Sequence, residues 1–218
     1  QTDGTWIRVS GDPSWSNPAN WQDGIIASGV GATATLIGTG NGNDVGIDGL
    51  TIDSDVTLGF WDAVPSGGWA AVYSSNGAKL IWDTGDPNVD ATMDHGDNNY
   101  TNQIVMDMHL QSNLILTNLT QRGLGSYPNG EGTGIFGTLS GPGSFTINHY
   151  PINWDGENGT KLPIGGVAPN TYRGGTYLNH RQNTQSYNPN GLVQDWNRTI
   201  LMKDGSFGWG DVTMMNPM

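Results

Sequence analysis

The stretch Met108-His-Leu-Gln-Ser-Asn-Leu-Ile-Leu116 alternates apolar and polar residues on both sides of a short polar turn at 111–113. This alternation predicts two short strands, each with one buried face and one face in water. The turn is too short to hold a helix, yet the apolar pattern resumes directly after it. The same unit occurs at 50–58 and, in a longer form around Gly-Pro-Gly, at 138–147. The repetition predicts a chain that coils around a narrow core.

The spacing between these units also indicates a repeat. Ile52 and Leu110 lie 58 positions apart, and Leu110 and Leu139 lie 29 apart. Ile81 lies at the midpoint of the longer interval, although its two neighbours carry the alternation better. A period of about 20 to 50 residues is typical of solenoids and propellers. We therefore expect these four residues to occupy corresponding positions of successive coils.

The composition favours a folded, mostly β chain. Its 218 residues include 34 glycines and 11 prolines, which disfavour long helices. Nine tryptophans are inconsistent with disorder, because disordered chains are poor in aromatic residues. Cysteine is absent, so the core and the backbone ladder must stabilise the fold. The sequence has no run of about 20 apolar residues, the length that would predict a membrane-spanning helix.

The charge balance limits the range of partners. There are 20 acidic and 8 basic residues, which give a formal net charge of -12. Nucleic acid is an unfavourable partner, because the sequence has no basic patch to neutralise phosphates. Eighteen of the acids are aspartate, whose short side chain bonds nearby backbone amides in turns. An acidic surface rich in turns is the favoured interpretation, and calcium binding is the alternative.

The order of segments predicts one solenoid with a cap. Residues 1–31 contain Trp6, Trp15 and Trp21, and the last two are expected to stack over the end of the core. Residues 32–218 are predicted to form the solenoid, with long loops near 84–101, 150–172 and 180–197. Such loops on a regular scaffold are common binding sites. The predicted strand segments are 32–37, 45–60, 71–82, 103–119, 134–147, 176–178, 199–202 and 207–214.

Four stretches of the chain carry a family resemblance. Trp15-Ser-Asn-Pro-Ala-Asn-Trp21-Gln-Asp-Gly24 has the pattern W-x-N-P-x-N-W-x-x-G, and 137–147 resembles the pattern L-x-G-x-G-x-L, with Phe145 in place of the last Leu. Residues 170–178 read N-T-Y-R-G-G-T-Y-L, and 204–213 end in G-W-G-D-V-T. In this order they resemble the motifs of autotransporter-like, passenger-associated-repeat surface proteins of Gram-negative bacteria.

The resemblance implies a fold and a location. It implies a right-handed parallel β-solenoid, or β-helix, that is secreted to the extracellular surface. We expect a signal peptide to have been removed before Gln1, which is the simplest reason for a chain without an initial methionine. Paired glycines such as Gly174 and Gly175 suit the tight corners of such a coil.

An acidic segment is the candidate metal site. Calcium takes six to eight oxygen ligands from carboxylates and carbonyls, and a loop rich in Asp and Asn offers them. The spacing does not match an EF-hand, so a solvated turn is the favoured interpretation and calcium is the only cofactor considered. The candidate ligands are Asp83, Asp86, Asp90, Asp94 and Asp97.

Catalysis is the first alternative function. Parallel β-helices also serve as polysaccharide lyases and glycoside hydrolases, which use paired carboxylates or an Arg or Lys base. No nucleophile elbow, zinc motif or phosphate loop is present in the sequence. None of the four histidines has a recognisable catalytic spacing, and His109 is predicted to point outward between Met108 and Leu110. No catalytic residue is therefore assigned.

Binding of carbohydrate is the second alternative, either on the solenoid or on an antiparallel β-sandwich. Flat aromatic rings stack on sugar faces and offer an N–H for hydrogen bonding. At least half of the candidate rings are expected to fill the core instead. The candidates are Trp61, Trp69, Trp154, Trp196 and Trp209.

Together these features predict a non-catalytic structural or adhesive protein of the cell surface. The expected partners are extracellular glycans or other copies of the chain. Open strand edges at the two ends of a solenoid can pair head to tail and build fibres.

Overall fold

The computed structural model of the chain describes residues 1–8, 10–37, 49–64, 70–94, 101–117, 134–149, 161–164, 168–180, 198–201 and 207–215. Within these ranges the secondary structure is almost entirely β, with two short 3-10 turns at Pro18–Asn20 and Gln22–Gly24 and no α-helix. In the same ranges no helix has the length and apolar character needed to cross a membrane.

The strands are short, and most contain two to five residues. In chain order they are β1 Gly4–Trp6, β2 Thr33–Ile37, β3 Thr51–Ile52, β4 Val56–Leu58, β5 Phe60–Val64, β6 Ala70–Ser75, β7 Lys79–Trp82, β8 Ala91–Asp94, β9 Thr101–Ile104, β10 Asp107–Leu110, β11 Leu114–Thr117, β12 Gly134–Ile135, β13 Leu139–Ser140, β14 Phe145–His149, β15 Lys161–Ile164, β16 Thr176–His180, β17 Arg198–Leu201 and β18 Val212–Met215.

These strands form three sheets in which every pairing is parallel. The eight-stranded sheet has the order β1-β2-β5-β8-β11-β14-β16-β18, and the six-stranded sheet has the order β17-β15-β12-β9-β6-β3. The four-stranded sheet has the order β13-β10-β7-β4. From β3 to β14 the chain visits the six-stranded, four-stranded and eight-stranded sheets in constant rotation. Within this stretch, neighbours in a sheet are therefore separated along the chain by one strand of each of the other two sheets.

The register of the four-stranded sheet differs from the predicted spacing. Val56 pairs with Leu80, Leu80 with Met108, and Met108 with Leu139, so the offset grows from 24 to 28 and then 31 residues. Ile81 is not one of the inward residues, because Leu80 and Trp82 on either side of it are buried. The predicted period of 29 was wrong in detail because the corners between strands hold different numbers of residues.

The repeated strand–turn–strand unit also proves to be two different corners. The units at 108–116 and 138–147 are equivalent, since β10 pairs with β13 and β11 with β14. The unit at 50–58 instead joins β3 of the six-stranded sheet to β4 of the four-stranded sheet. Both corners use a short Ser-containing polar turn, which explains why their sequences look alike.

Several predicted strand segments contain more than one strand. The segment 103–119 contains the end of β9 and all of β10 and β11. In the segment 207–214 the strand begins only at Val212. The predicted loop 84–101 contains β8 and the predicted loop 150–172 contains β15. β8 was missed because four residues, with only Ala91 and Met93 buried, give too short a pattern to recognise. The predicted loop 180–197 lies, apart from His180 in β16, outside the described residues.

The core is one cluster that includes residues of all three sheets. Met93 and Leu116 come from the eight-stranded sheet, Leu80 from the four-stranded sheet and Ile104 from the six-stranded sheet, and all are fully buried. Buried residues alternate with more exposed ones along strands such as β7, β8, β10 and β11, as the period of a pleated strand requires.

The amino-terminal end of the core is aromatic. Trp6, Trp15 and Trp21 are at most 2% exposed, and the ring centroids of Trp15 and Trp21 lie 4.6 Å apart. Trp15 also stacks on Trp61 at 5.7 Å. The indole N–H of Trp15 donates to the Ala27 carbonyl at 3.2 Å.

Residues 20–28, which we call the amino-terminal cover, run antiparallel along the outer edge of β1. Thr2 pairs with Ser28 and Trp6 with Trp21 in antiparallel bridges. The approach at Gly4 is so close that a Cβ there would lie 2.5 Å from the Ile25 carbonyl oxygen. The cover therefore engages backbone groups on both sides of β1, at Thr2 and at Ile7.

Candidate binding face

The tryptophan motif at 15–24 builds the amino-terminal end. Asn17 caps the 3-10 turn Pro18–Asn20 by accepting from the Ala19 N–H at 3.1 Å. Asn20 is buried and donates to the carbonyls of Asp12 and Ser14, both at 2.9 Å. The two asparagines of the motif thus satisfy backbone groups in and just before the turn, and its tryptophans fill the core.

The motif at 170–178 is also explained by packing. The Tyr172 hydroxyl forms a buried hydrogen bond with Thr176 Oγ1. Burial raises the pKa of Tyr172 to about 12, and the Thr176 bond only partly offsets it. A Cβ on Gly174 would lie 2.3 Å from the Ser144 nitrogen, so only glycine permits this stacking of one corner on the next. These residues hold successive strands together.

Corner carboxylates and amides bind the backbone of neighbouring strands. Each accepts a hydrogen bond from an N–H that is about one circuit of the three sheets away, at 2.8–3.0 Å. The pairs are Asp55 with Lys79, Asp107 with Thr138, Asn113 with Ser144 and Asn170 with Leu139. Part of the excess of aspartate and asparagine therefore has a structural role.

The acidic segment proposed for calcium lies mainly in the corner between β7 and β8. Asp83 accepts from the Gly85 N–H at 2.8 Å, and Asp86 from the Asn88 N–H at 2.9 Å. Asp90 accepts from Asn113 Nδ2 at 3.0 Å.

Of the other two candidate calcium ligands, Asp94 and Asp97, only the first lies among the described residues. Asp94 is the last residue of β8, and Asp97 lies outside the described residues. Among the residues that the structure describes, no three His, Asp or Glu side chains come together as a metal-binding group. Calcium binding stays a prediction.

His109 lies where its strand pattern places it. Met108 and Leu110 on either side are buried, and His109 Nδ1 lies 3.1 Å from Ser140 Oγ on the neighbouring strand β13. This contact joins two strands of the four-stranded sheet. His149 and His180 are paired in register on β14 and β16, and His95 lies outside the described residues.

The tryptophans proposed for sugar stacking divide into three groups. Trp61 is 1% exposed and packs between Trp15 and Tyr73, so this candidate fills the core, as expected for at least half of them. Trp209 is 74% exposed, with the Arg173 guanidinium 5.8 Å from the ring centroid. Trp69, Trp154 and Trp196 lie outside the described residues.

The outward face of the eight-stranded sheet carries two ordered rows of side chains. The first, which we call the alternating row, has a hydroxyl residue on one strand and a large apolar or aromatic residue on the next. Its members, paired in register from β2 to β18, are Thr33, Phe60, Thr92, Ile115, Thr146, Tyr177 and Thr213.

The second row, which we call the polar row, lies two residues further along each strand. It contains hydroxyl, carboxylate and amide side chains and is also in register. Its members are Thr5, Thr35, Asp62, Asp94, Thr117, Asn148 and Asn179. All of these residues are partly or fully exposed, and Asn179 Nδ2 donates to Asn148 Oδ1 at 3.1 Å.

The spacing of the rows follows from the geometry of a sheet. Neighbouring strands lie about 4.8 Å apart, so the apolar members Phe60, Ile115 and Tyr177 recur at roughly 10 Å. The seven strands of the alternating row span about 29 Å on the same spacing. Because the strands are parallel and in register, the rows cross the strands at nearly a right angle.

An open groove of about 460 Å³ lies at the amino-terminal end of this face. It combines side chains of the sheet with a wall from the second 3-10 turn, in which Asp23 has a φ of 55°. Asp3 accepts from the Thr33 N–H at 2.8 Å, which fixes it at the edge of the groove. The lining residues are Asp3, Gly4, Thr5, Gln22, Asp23, Ile25, Thr33 and Thr35.

The sequence reasoning missed this face. Its members lie 23 to 36 positions apart in the chain, and the corners between them differ in length. The available signal was local, because the members on β1 to β16 each flank a buried residue in an alternating segment. The register was needed to bring these positions into rows.

Comparison with protein-family models, with curated proteins and with solved structures finds no match to this chain. The resemblance to passenger-associated-repeat surface proteins therefore stays a prediction from the motifs.

Proposed function

We propose that the three sheets form one right-handed parallel β-solenoid, and that the protein is a non-catalytic structural or adhesive component of the extracellular surface. The constant rotation of the chain through three parallel sheets is the observation that carries the proposal. Parallel crossover connections are right-handed in nearly all known cases, which supports the stated hand.

The shared core favours the interpretation that the strands form a single coil and not three independent sheets. One cluster of buried residues includes inward side chains of every sheet, such as Met93, Leu80 and Ile104. Hydrogen bonds that corner residues such as Asn113 accept from backbone N–H groups of the next circuit add a second link between neighbouring rungs. These features give a rigid scaffold, which suits a protein that presents a surface.

The amino-terminal cover favours discrete particles over head-to-tail fibres. Fibre growth by strand pairing needs a free edge at both ends, and the outer edge of β1 is already engaged by residues 20–28. Electron micrographs of the purified protein at high concentration are expected to show single particles. Filaments would restore the head-to-tail alternative.

Two assays test the role directly. Beads that carry the protein are expected to adhere to surfaces coated with extracellular polysaccharide several-fold more often than beads that carry albumin. Adhesion at the albumin level would contradict an adhesive role. The protein is also expected to release neither reducing ends nor unsaturated uronates from pectin or alginate, and release of either would replace the proposal with the enzymatic alternative.

A further inference from the structure

We propose that the outward face of the eight-stranded sheet binds an extended, neutral, β-linked polysaccharide that lies along the alternating row and ends in the groove beside Asp3 and Asp23. This inference rests on the adhesive role proposed above and names the ligand class and the surface.

The alternating row matches the pattern of such a ligand. An extended chain of this class has β-1,4 links, as in cellulose and chitin, and each sugar is turned over relative to the one before, so equivalent apolar ring faces recur at every second sugar. The apolar members Phe60, Ile115 and Tyr177 recur at every second strand, roughly 10 Å apart. Aromatic rings provide flat apolar area for sugar faces. The threonines between them offer hydroxyls to the intervening sugars.

The polar row supplies hydrogen-bond acceptors beside the alternating row. Asp62 and Asp94 are adjacent in register, and Asn148 and Asn179 follow further along. Carboxylates accept strong hydrogen bonds from neutral donors such as sugar hydroxyls.

The same charges select against anionic partners. The carboxylates and the net charge of -12 repel uronate chains, nucleic acid and anionic lipid surfaces. A neutral glycan is therefore the partner with matching hydrogen bonding and no charge penalty.

The groove gives the face a defined end. Its wall includes Ile25, whose side chain is 48% exposed, and the exposed residues Gln22 and Asp23. Ile25 is the one large apolar side chain in a lining of carboxylate, amide and hydroxyl residues, so the groove offers mainly hydrogen-bonding partners to a sugar. A volume of about 460 Å³ leaves room for one terminal sugar unit.

The other sheet with a described outward row offers a matched control. In the four-stranded sheet the outward residues in register are Thr57, Ile81, His109 and Ser140, and only Ile81 is apolar. Ile81 is partly exposed, as Ile115 is, but has no apolar residue two strands away. Replacement of Ile81 therefore removes a similar side chain from a surface that lacks the alternation.

Binding of cellohexaose and chitohexaose, measured by isothermal titration calorimetry, tests the proposal. We expect at least one of them to bind, Tyr177→Ala and Phe60→Ala to weaken binding at least tenfold each, and Ile81→Ala to leave it unchanged. Asp62→Asn, which keeps the shape of the side chain, is expected to weaken binding about threefold. The thermal midpoint of every variant is measured by circular dichroism, so that a folding defect is separated from a binding defect.

The outcomes that overturn the proposal are distinct from those that overturn the adhesive role. Absence of binding to both hexasaccharides, with bead adhesion intact, rejects the neutral glycan and leaves the adhesive role standing. Binding that Tyr177→Ala and Asp62→Asn do not change rejects this face. Tighter binding of oligogalacturonate than of either neutral hexasaccharide rejects the charge argument.

Discussion

At one edge of the eight-stranded sheet the backbone of β1 is covered by residues 20–28, whereas at the other edge β18 pairs with β16 alone among the described residues. The aromatic residues differ in the same way. Trp15 is 1% exposed at the amino-terminal end, and Trp209 is 74% exposed near the opposite edge. The difference teaches that the chain itself covers the first strand of the sheet. The outer edge of β1 is covered by residues 20–28, and the adjacent end of the core is filled by buried tryptophans.

Replacement of a buried tryptophan at the closed end is expected to have the largest effect. Trp15→Ala removes ring contacts with Trp6, Trp21 and Trp61, and should lower the free energy of unfolding by about 3–5 kcal/mol. The exposed counterpart Trp209→Ala should change it by about 0.5 kcal/mol or less. Urea denaturation followed by circular dichroism measures both. Equal effects of the two substitutions would contradict the difference between the ends.

A methyl group under the cover is expected to separate it from β1. Gly4→Ala places a Cβ 2.5 Å from the Ile25 carbonyl oxygen and should lower the free energy of unfolding by about 1–3 kcal/mol. Hydrogen exchange should also accelerate at the amides of Thr2 and Ser28, which bond each other across the bridge. Gly77→Ala is the control. A Cβ at Gly77 would have no atom within 4 Å, so only its φ of +75° opposes a side chain, and the free energy of unfolding should fall by about 1 kcal/mol. Unchanged exchange in Gly4→Ala would argue against the cover.

Alkaline pH is expected to weaken the carboxyl-terminal part of the core. Burial raises the pKa of Tyr172 to about 12, against 10.0 for an ordinary tyrosine, so the folded state favours the protonated ring. The resulting stability is complete below pH 10 and is lost as the pH rises through 12, by up to about 2–3 kcal/mol.

Tyr172→Phe isolates this effect from other titrations. The variant should lose about 1–3 kcal/mol at neutral pH, because Thr176 loses its buried hydrogen-bond partner. Its stability should then fall less steeply than that of the parent between pH 10 and 12, as measured by urea midpoints. Parallel pH profiles of the two proteins would show that Tyr172 does not titrate as described.

The smallest effect is expected at the contact between Ser16 and Asp53, which lies in the turn between β3 and β4. Partial burial tends to raise the pKa of Asp53, but hydrogen bonds from the Ser16 hydroxyl and N–H outweigh it and lower the pKa below 3.8. The contact therefore stabilises the protein above pH 3.8, and this stability is lost as the pH falls through the lower value.

Asp53→Asn should lower the free energy of unfolding at neutral pH by about 1 kcal/mol and reduce the loss of stability in acid. The exposed Asp211→Asn is the control and should change stability by about 0.5 kcal/mol or less. Thermal denaturation between pH 2 and 7 measures both. A larger acid effect in Asp211→Asn would contradict the assignment to Asp53.

Local patterns predicted much of this fold because strand alternation depends on neighbouring residues. The alternation around Met108 and Leu114 correctly indicated two strands separated by a polar turn. The register could not be predicted, because one residue, Gly59, separates β4 from β5 whereas eight separate β7 from β8. The binding face depends on that register, so Phe60 and Tyr177 could be recognised as members of one row only after the strands were paired.

The central claim, one coil of parallel strands in three sheets, is tested most directly by disulfide cross-linking, because the chain has no cysteine of its own. The paired substitutions are Thr51→Cys with Ser74→Cys, Ile81→Cys with His109→Cys, and Ile115→Cys with Thr146→Cys, which are in register in the six-, four- and eight-stranded sheets. Neighbouring strands bring Cα atoms within the separation that a disulfide requires.

The mismatched control combines Ile81→Cys with Thr146→Cys, which lie in different sheets. Under mild oxidation we expect all three matched pairs to form intramolecular disulfides and the mismatched pair to remain reduced, as shown by thiol titration and peptide mass mapping. Failure of the matched pairs, or equal cross-linking of the mismatched pair, would contradict the coil.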